Sequence, residues 1–139
     1  AFIEQGIDVI TDKPLSRTLE EAAPLIAAQA ASGIVFGVTY TYSGHAMVRQ
    51  AREMIRDGAL GEIRQVHVEY FQDWALEVTD TGRERPWRLD PERTGPSFTV
   101  ADIGTHAEHL ARFVTGLHIE ALRAELDSIA AAAGLDRIT

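Results

Sequence analysis

Three groups of residues have types and spacings that suit chemistry. Asp12-Lys13-Pro14 follows a short β-branched run, Ile7-Asp8-Val9-Ile10. If that run is a strand of an open parallel sheet, Lys13 stands at its carboxyl edge, where such sheets bind ligands. An exposed lysine ahead of a helix is the plainer reading. Asp102-Ile103-Gly104-Thr105-His106, followed by His109, places a carboxylate and two imidazoles at i, i+4 and i+7, which is one face of a helix. A carboxylate beside an imidazole favours the protonated ring and can fix its tautomer. That arrangement suits a general base taking a proton from an alcohol. Asp102 could equally be an N-cap and His106 a half-buried packing residue. A metal site from Asp102, His106 and His109 is a third reading, because nitrogen and oxygen donors recur at helical spacing. The third group, Trp87-Arg88, pairs an aromatic ring with a guanidinium, which can grip a phosphate, stack on a heterocycle or simply anchor a loop.

The elements that must position these residues are legible in outline. Ala1 to Gly6 reads as the last turn of a helix stopped by glycine, which predicts a further part upstream. Ile7 to Ile10 reads as a strand ended by Lys13-Pro14. Thr18 with Glu21 matches a capping box, and the helix it opens runs to Ser32 and ends at Gly33. Pro24 lies beyond the first turn, so a kink or a later start is expected. Ile34 to Tyr42 is a second strand-like stretch. Strand, helix and strand at this spacing predict a βαβ unit and a parallel sheet.

Downstream, Met47, Val48, Ala51, Met54 and Ile55 recur at helical spacing, with Gly58 as a stop. Ile63 to Phe71 alternates as a half-buried strand would. Gln72 to Pro96 reads as a long loop, and loops of that length are often functional. Asp102 to Thr115 reads as a helix with Ile103, Ala107, Leu110, Val114 and Leu117 on one stripe and Gly116 as its end. Ile119 to Leu126 suits a strand or a helix. Tyr40, Tyr42, Phe71 and Trp74 are pocket walls or core, while His45, His67 and His118 have no evident partner. The small run Ala130 to Ala133 is the one low-complexity stretch.

Composition narrows the function classes. The chain has 139 residues, 45% apolar and 24% charged, which excludes disordered and collagen-like classes. A net charge of −8 and a pI near 5.0 argue against nucleic-acid and membrane partners and favour a small-molecule or protein partner. No apolar run approaches the roughly 18–20 residues of a membrane span. There are no cysteines, which excludes disulfides and cysteine nucleophiles and fits a cytoplasmic location. None of the eleven glycines forms a G-x-G pair, so neither a Rossmann phosphate fingerprint nor a P-loop lies in this chain.

Taken together, the chain resembles the glucose–fructose oxidoreductase / inositol dehydrogenase (Gfo/Idh/MocA) family. Gly6 through Leu15, with Asp12-Lys13-Pro14-Leu15, is similar to that family's G-x-x-V-x-x-E-K-P-L signature. Arg52 through Gly61 resembles the segment ahead of its second domain, and Asp102-x-Gly104-x-His106 resembles its D-x-G-x-H helix. The resemblance implies an α/β fold: the C-terminal part of a Rossmann-type parallel sheet over residues 1–43, then the first part of an α+β substrate and oligomerisation domain over residues 44–139. It implies a fragment of an NAD(P)-dependent dehydrogenase or reductase, with NAD or NADP as cofactor, a sugar, polyol or related alcohol as substrate, and a homo-oligomer at full length.

By the same resemblance Lys13, Asp102 and His106 are the catalytic residues. Lys13, Pro14, Trp87 and Arg88 border the cofactor, and Lys13, His106 and His109 face the substrate. Two departures stand out. Asp12 replaces the usual Glu, and His109 stands where many members have Asp. These departures and the missing phosphate loop leave a non-catalytic binding module as the alternative, with the metal enzyme of Asp102, His106 and His109 as a further one.

Overall fold

The computed structural model describes residues 1–73, 87–96 and 98–126. Ile3–Gln5 forms one 3₁₀ turn closed by Gly6, whose φ of 70° is the left-handed conformation that glycine tolerates best. The chain then enters β1 (Val9–Asp12), crosses through α1 (Leu19–Ser32) and returns as β2 (Phe36–Thr39). β1 and β2 pair in parallel, with Val9 opposite Phe36 and Asp12 opposite Thr39. The predicted βαβ unit is therefore present, and the chain has an α/β fold.

Thr18 caps α1 by accepting the amide of Glu21 at 3.3 Å. The reciprocal arm of the expected capping box goes one residue earlier, because the Glu21 carboxylate accepts the amide of Arg17 at 3.0 Å. α1 starts at Leu19 and continues through Pro24, so the later start allowed by that proline is not found. The second strand is shorter than the Ile34–Tyr42 run. Tyr40 leaves the sheet and Thr41–Gly44 closes into a 3₁₀ turn, which feeds α2 (Ala46–Arg56).

Residues 63–71 carry the alternating pattern of a strand, but among the described residues no neighbouring strand pairs with them. Without a neighbour to complete its hydrogen-bond ladder, an alternating segment is extended chain rather than sheet. The same holds for 119–126, which is neither strand nor helix. Within the long loop, Trp87–Leu89 is a 3₁₀ turn and Pro91–Thr94 is a one-turn helix, α3. Asp90 caps α3 on the Glu92 amide at 3.0 Å. Trp74, Gly82, Pro86 and the alanine run at 130–133 lie outside the described residues.

Val100–Gly104 forms a π-helical turn that runs directly into α4 (Thr105–Thr115), ended by Gly116 at φ 75°. α2 packs on α4, with Arg52 lying 4.4 Å over the Phe113 ring. Among the described residues, Ile3, Ile34, Leu89 and Phe98 are the buried apolar side chains, a small core that includes two residues flanking α3. Among the described residues no helix is long and apolar enough to cross a membrane.

Candidate active site

β1 delivers Lys13 to the carboxyl edge of the sheet. Its neighbour Asp12 locks that edge: one carboxylate oxygen accepts the Thr39 hydroxyl at 2.8 Å and the Lys13 amide at 2.9 Å. The hydrogen bond from Thr39, ahead of that from Lys13, holds the Asp12 carboxyl below its usual range. The Lys13–Pro14 peptide is cis.

From there the ammonium of Lys13 reaches the other half of the chain. It donates to Asp102 Oδ1 at 2.6 Å and to the Asp102 backbone carbonyl at 2.5 Å. The two side chains are only 13% and 28% exposed, so water screens the pair far less than it would at a free surface. Asp102 is not the N-cap that one reading allowed. It sits inside the π-helical turn, a conformation that recurs at functional sites. Gly104 fits the tight turn, since a Cβ there would stand 3.3 Å from Val100 Cγ1.

One turn on, His106 packs against tyrosines. The Tyr42 ring stands edge-on at 4.7 Å, and Tyr40 at 5.8 Å. Among the described residues its buried Nδ1 has no hydrogen-bond partner. Sequence reasoning expected Asp102 to favour the protonated ring. Asp102 and Asp12 do push that way, but burial and then the charge of Lys13 outweigh them, and His106 titrates below its ordinary value. Burial is the larger cause; Lys13, paired with Asp102, adds to it because its charge opposes a second cation beside it. Burial and the Lys13 charge thus favour the neutral form of the His106 ring.

His109 shares Tyr40 with His106 and is close enough to act on its charge. Its ring stacks flat on Tyr40, 4.0 Å away at an interplanar angle of 4°, with Phe113 behind it at 5.9 Å. Burial lowers its pKa as well. It does not join a metal site, as the third reading had it: among the described residues no cluster of three or more His, Cys, Asp or Glu is placed to hold an ion.

A cleft of about 350 Å³ opens beside the Lys13–Asp102 pair. Lys13, Pro14, Asp102, Trp87, Arg88 and Phe98 line it, and Arg17 and Thr94 line it as well. Arg88 folds its guanidinium over its own neighbour, 4.6 Å from the Trp87 ring, giving an aromatic and cationic wall. Four of the expected residues thus meet Asp102 around one space. His106 instead lines a smaller cavity of about 220 Å³ with Tyr42, Glu69 and Tyr70.

Two features escaped the sequence. The Tyr42 and Tyr70 hydroxyls are hydrogen-bonded to each other, and Gln72 Nε2 donates to Tyr70 at 3.0 Å. Tyr42 was visible as a pocket or core candidate, but nothing local tied it to Tyr70. Arg17 reaches the α3 segment through its guanidinium, and its only sequence signal was its place four residues past Lys13.

The fold is thus α/β, with a Lys–Asp pair at the edge of a parallel sheet and a histidine one turn beyond the Asp. The family profile for the GFO/IDH/MocA C-terminal domain matches residues 48–138, and the chain belongs to that family. It is 36% identical over 118 residues to an oxidoreductase of Bacillus subtilis, YfiI, covering 82% of this chain and 30% of that one. It is 34% identical over 116 residues to levoglucosan dehydrogenase of Pseudarthrobacter phenanthrenivorans, covering 84% and 29%. Among solved structures, an inositol dehydrogenase homologue of Azotobacter vinelandii complexed with NAD+ superposes with a TM-score of 0.74 at 41% identity, over 83% of this chain and 30% of that one. The chain thus spans about 30% of the length of the relatives it matches.

Proposed function

We propose that this chain forms the reacting end of an NAD- or NADP-dependent oxidoreductase acting on a sugar, polyol or related alcohol. The observation that carries the reading is the 2.6 Å Lys13–Asp102 pair bordering a cleft walled by Pro14, Trp87 and Arg88. A flat heterocycle suits that space: it lies at the carboxyl edge of a parallel strand, where open α/β sheets take ligands, and an indole–guanidinium wall stacks on such rings. The relatives agree in kind, one named a levoglucosan dehydrogenase and another holding NAD+.

Lys13, Pro14, Trp87 and Arg88 would hold the nicotinamide end of the cofactor. When bound, the nicotinamide supplies the redox chemistry, carrying the hydride that the protein cannot. The chain's own residues manage the oxygen and its proton. His106, whose neutral form burial and Lys13 favour, takes the proton of the substrate hydroxyl. The Lys13 ammonium stabilises the negative charge that grows on that oxygen. Asp102 holds Lys13 in place and offsets its charge. We assign residues 1–43 to a dinucleotide-binding unit and 44–139 to a substrate unit, and the enzyme to the cytoplasm as a homo-oligomer.

Titration of the full-length protein that carries this chain with NADH and with NADPH, followed by nicotinamide fluorescence, tests the reading. Binding of at least one, weakened by Arg88→Ala, is expected. Binding of neither would favour a non-catalytic module that retains the fold.

A further inference from the structure

We infer that Arg17 and Gly95 form a latch that holds the Trp87-Arg88 wall against the Lys13 edge, and that this latch sets the affinity of the cleft for a nicotinamide cofactor. The inference rests on the reading of the cleft given above; Gly95 acts as a positioning residue, and Arg17, which also lines the cleft, is separated from a direct ligand contact by the exchange readout below.

Arg17 lies in the connection between β1 and α1, on the same short stretch as Lys13. Its guanidinium is aimed from behind: Nε donates to Glu21 Oε1 at 2.9 Å, one helical turn on, while the Arg17 amide donates to Glu21 Oε2 at 3.0 Å. A planar fork fixed at one edge presents its remaining donors in a set direction. Nη1 uses that direction to donate to the Glu92 carbonyl in α3 at 2.7 Å, across 75 positions of sequence.

The second contact is made by backbone. Gly95 closes α3 at φ +85°, and a Cβ there would stand 2.9 Å from the Arg17 carbonyl oxygen and 3.1 Å from its Cβ. Only glycine fits both the conformation and the approach. Arg17 is therefore held by its side-chain hydrogen bond to Glu92, and its main chain stands so close to Gly95 that no side chain fits between them. Lys13–Asp102 makes the corresponding bridge at the other end of the cleft.

The latch has work that the core does not cover. Leu89 and Phe98 are buried, at 6% and 8% exposure, and anchor the two sides of α3. Trp87, at 52% exposure, is not anchored in this way. Arg17 and Gly95 hold the turn between those anchors, and so determine how closely the indole and Arg88 stand over Lys13 and Pro14. Loosening that turn leaves Lys13, Asp102 and His106 in place but spoils the wall that grips the flat ring.

The test uses Arg17→Ala, Arg17→Lys and Gly95→Ala in the full-length protein, with two readouts: Kd for NADH or NADPH, and hydrogen exchange of the Thr94 and Gly95 amides without cofactor. One lost hydrogen bond predicts a Kd raised about three- to tenfold in Arg17→Ala. Arg17→Lys, which keeps one donor, should fall in between, with kcat at saturating cofactor within about twofold of the parent protein. Exchange at 94 and 95 should quicken in Arg17→Ala; a raised Kd without quickened exchange would mark a direct ligand contact and overturn the latch. If Gly95→Ala does not fold, the two Arg17 variants decide alone. Unchanged Kd in Arg17→Ala overturns the inference, whether or not exchange quickens. If the parent protein binds neither cofactor, the nicotinamide reading fails, and slow exchange in Arg17→Ala then overturns the latch on its own account.

Discussion

Lys13 and Asp102 stand 89 positions apart and are joined through a 2.6 Å ion pair, with the ammonium also bonded to the Asp102 carbonyl. The pair spans the junction between the sheet edge and the π-helical turn. It also acts on His106, whose pKa burial lowers first: Lys13 lowers it further while Asp102 raises it.

Asp102→Asn separates those effects. With its charge removed, the attraction that favours imidazolium is gone and Lys13 acts unopposed, so His106 titrates still lower. A base works in its neutral form, so the acid limb of the kcat/KM profile should move to lower pH. kcat should fall about ten- to hundredfold from the loss of Lys13 positioning. A limb that moves to higher pH contradicts the account.

The tyrosine pair is tested by stability. Tyr42→Phe and Tyr70→Phe each remove a hydroxyl from the shared hydrogen bond while keeping the rings. A double-mutant cycle by urea unfolding should give a coupling of about 1 kcal/mol. A coupling near zero would mean that the two hydroxyls do not act on each other in solution.

Helix ends offer a check on the scaffold. Thr18→Ala removes the cap on the Glu21 amide and should cost about 1 kcal/mol. Gly116→Ala places a Cβ at φ 75° and should cost a similar amount. Both are read as lowered unfolding midpoints, and a midpoint unchanged in both variants would speak against these caps.

Stability should also depend on pH in two windows. Burial holds His106 and His109 below the usual 6.5. The unfolded chain therefore takes up protons first as pH falls. Their contribution is complete above that value and is lost as pH drops through the folded pKa values. Asp12, Glu20 and Glu21 have lowered pKa values. What they contribute is present above the unfolded values of 3.8 and 4.5 and is lost as pH falls through the folded ones. Tm should decline from about pH 7 towards 5 and again below about 4, and His109→Gln should flatten the first decline. A Tm independent of pH between 5 and 7 would refute the first window.

Local rules carried part of this structure and failed at identifiable places. Thr18, Gly33, Gly58 and Gly116 announced helix ends because capping is decided by a few adjacent residues. The βαβ unit was legible for the same reason, and Lys13 could be placed at its edge. The strand expected over 63–71 was not, because a strand depends on a neighbour that the segment's own residues do not encode. The partner of Asp102 was missed likewise: helical spacing pointed to His106 four residues on, whereas the tertiary fold brought Lys13 to 2.6 Å. Arg17 reads as an ordinary surface arginine until α3 is folded against it.

In the proposed reaction Lys13 and His106 handle the oxygen and proton of an alcohol beside a nicotinamide. The most direct measurement is kcat of Lys13→Met and of His106→Ala in the full-length protein. It uses saturating NAD+ or NADP+ and the alcohol best turned over in a panel of polyols and sugars. The account predicts turnover by the parent protein and a loss of about 10²–10⁴-fold in each variant, with cofactor still bound by His106→Ala. Full turnover retained in either variant would contradict it.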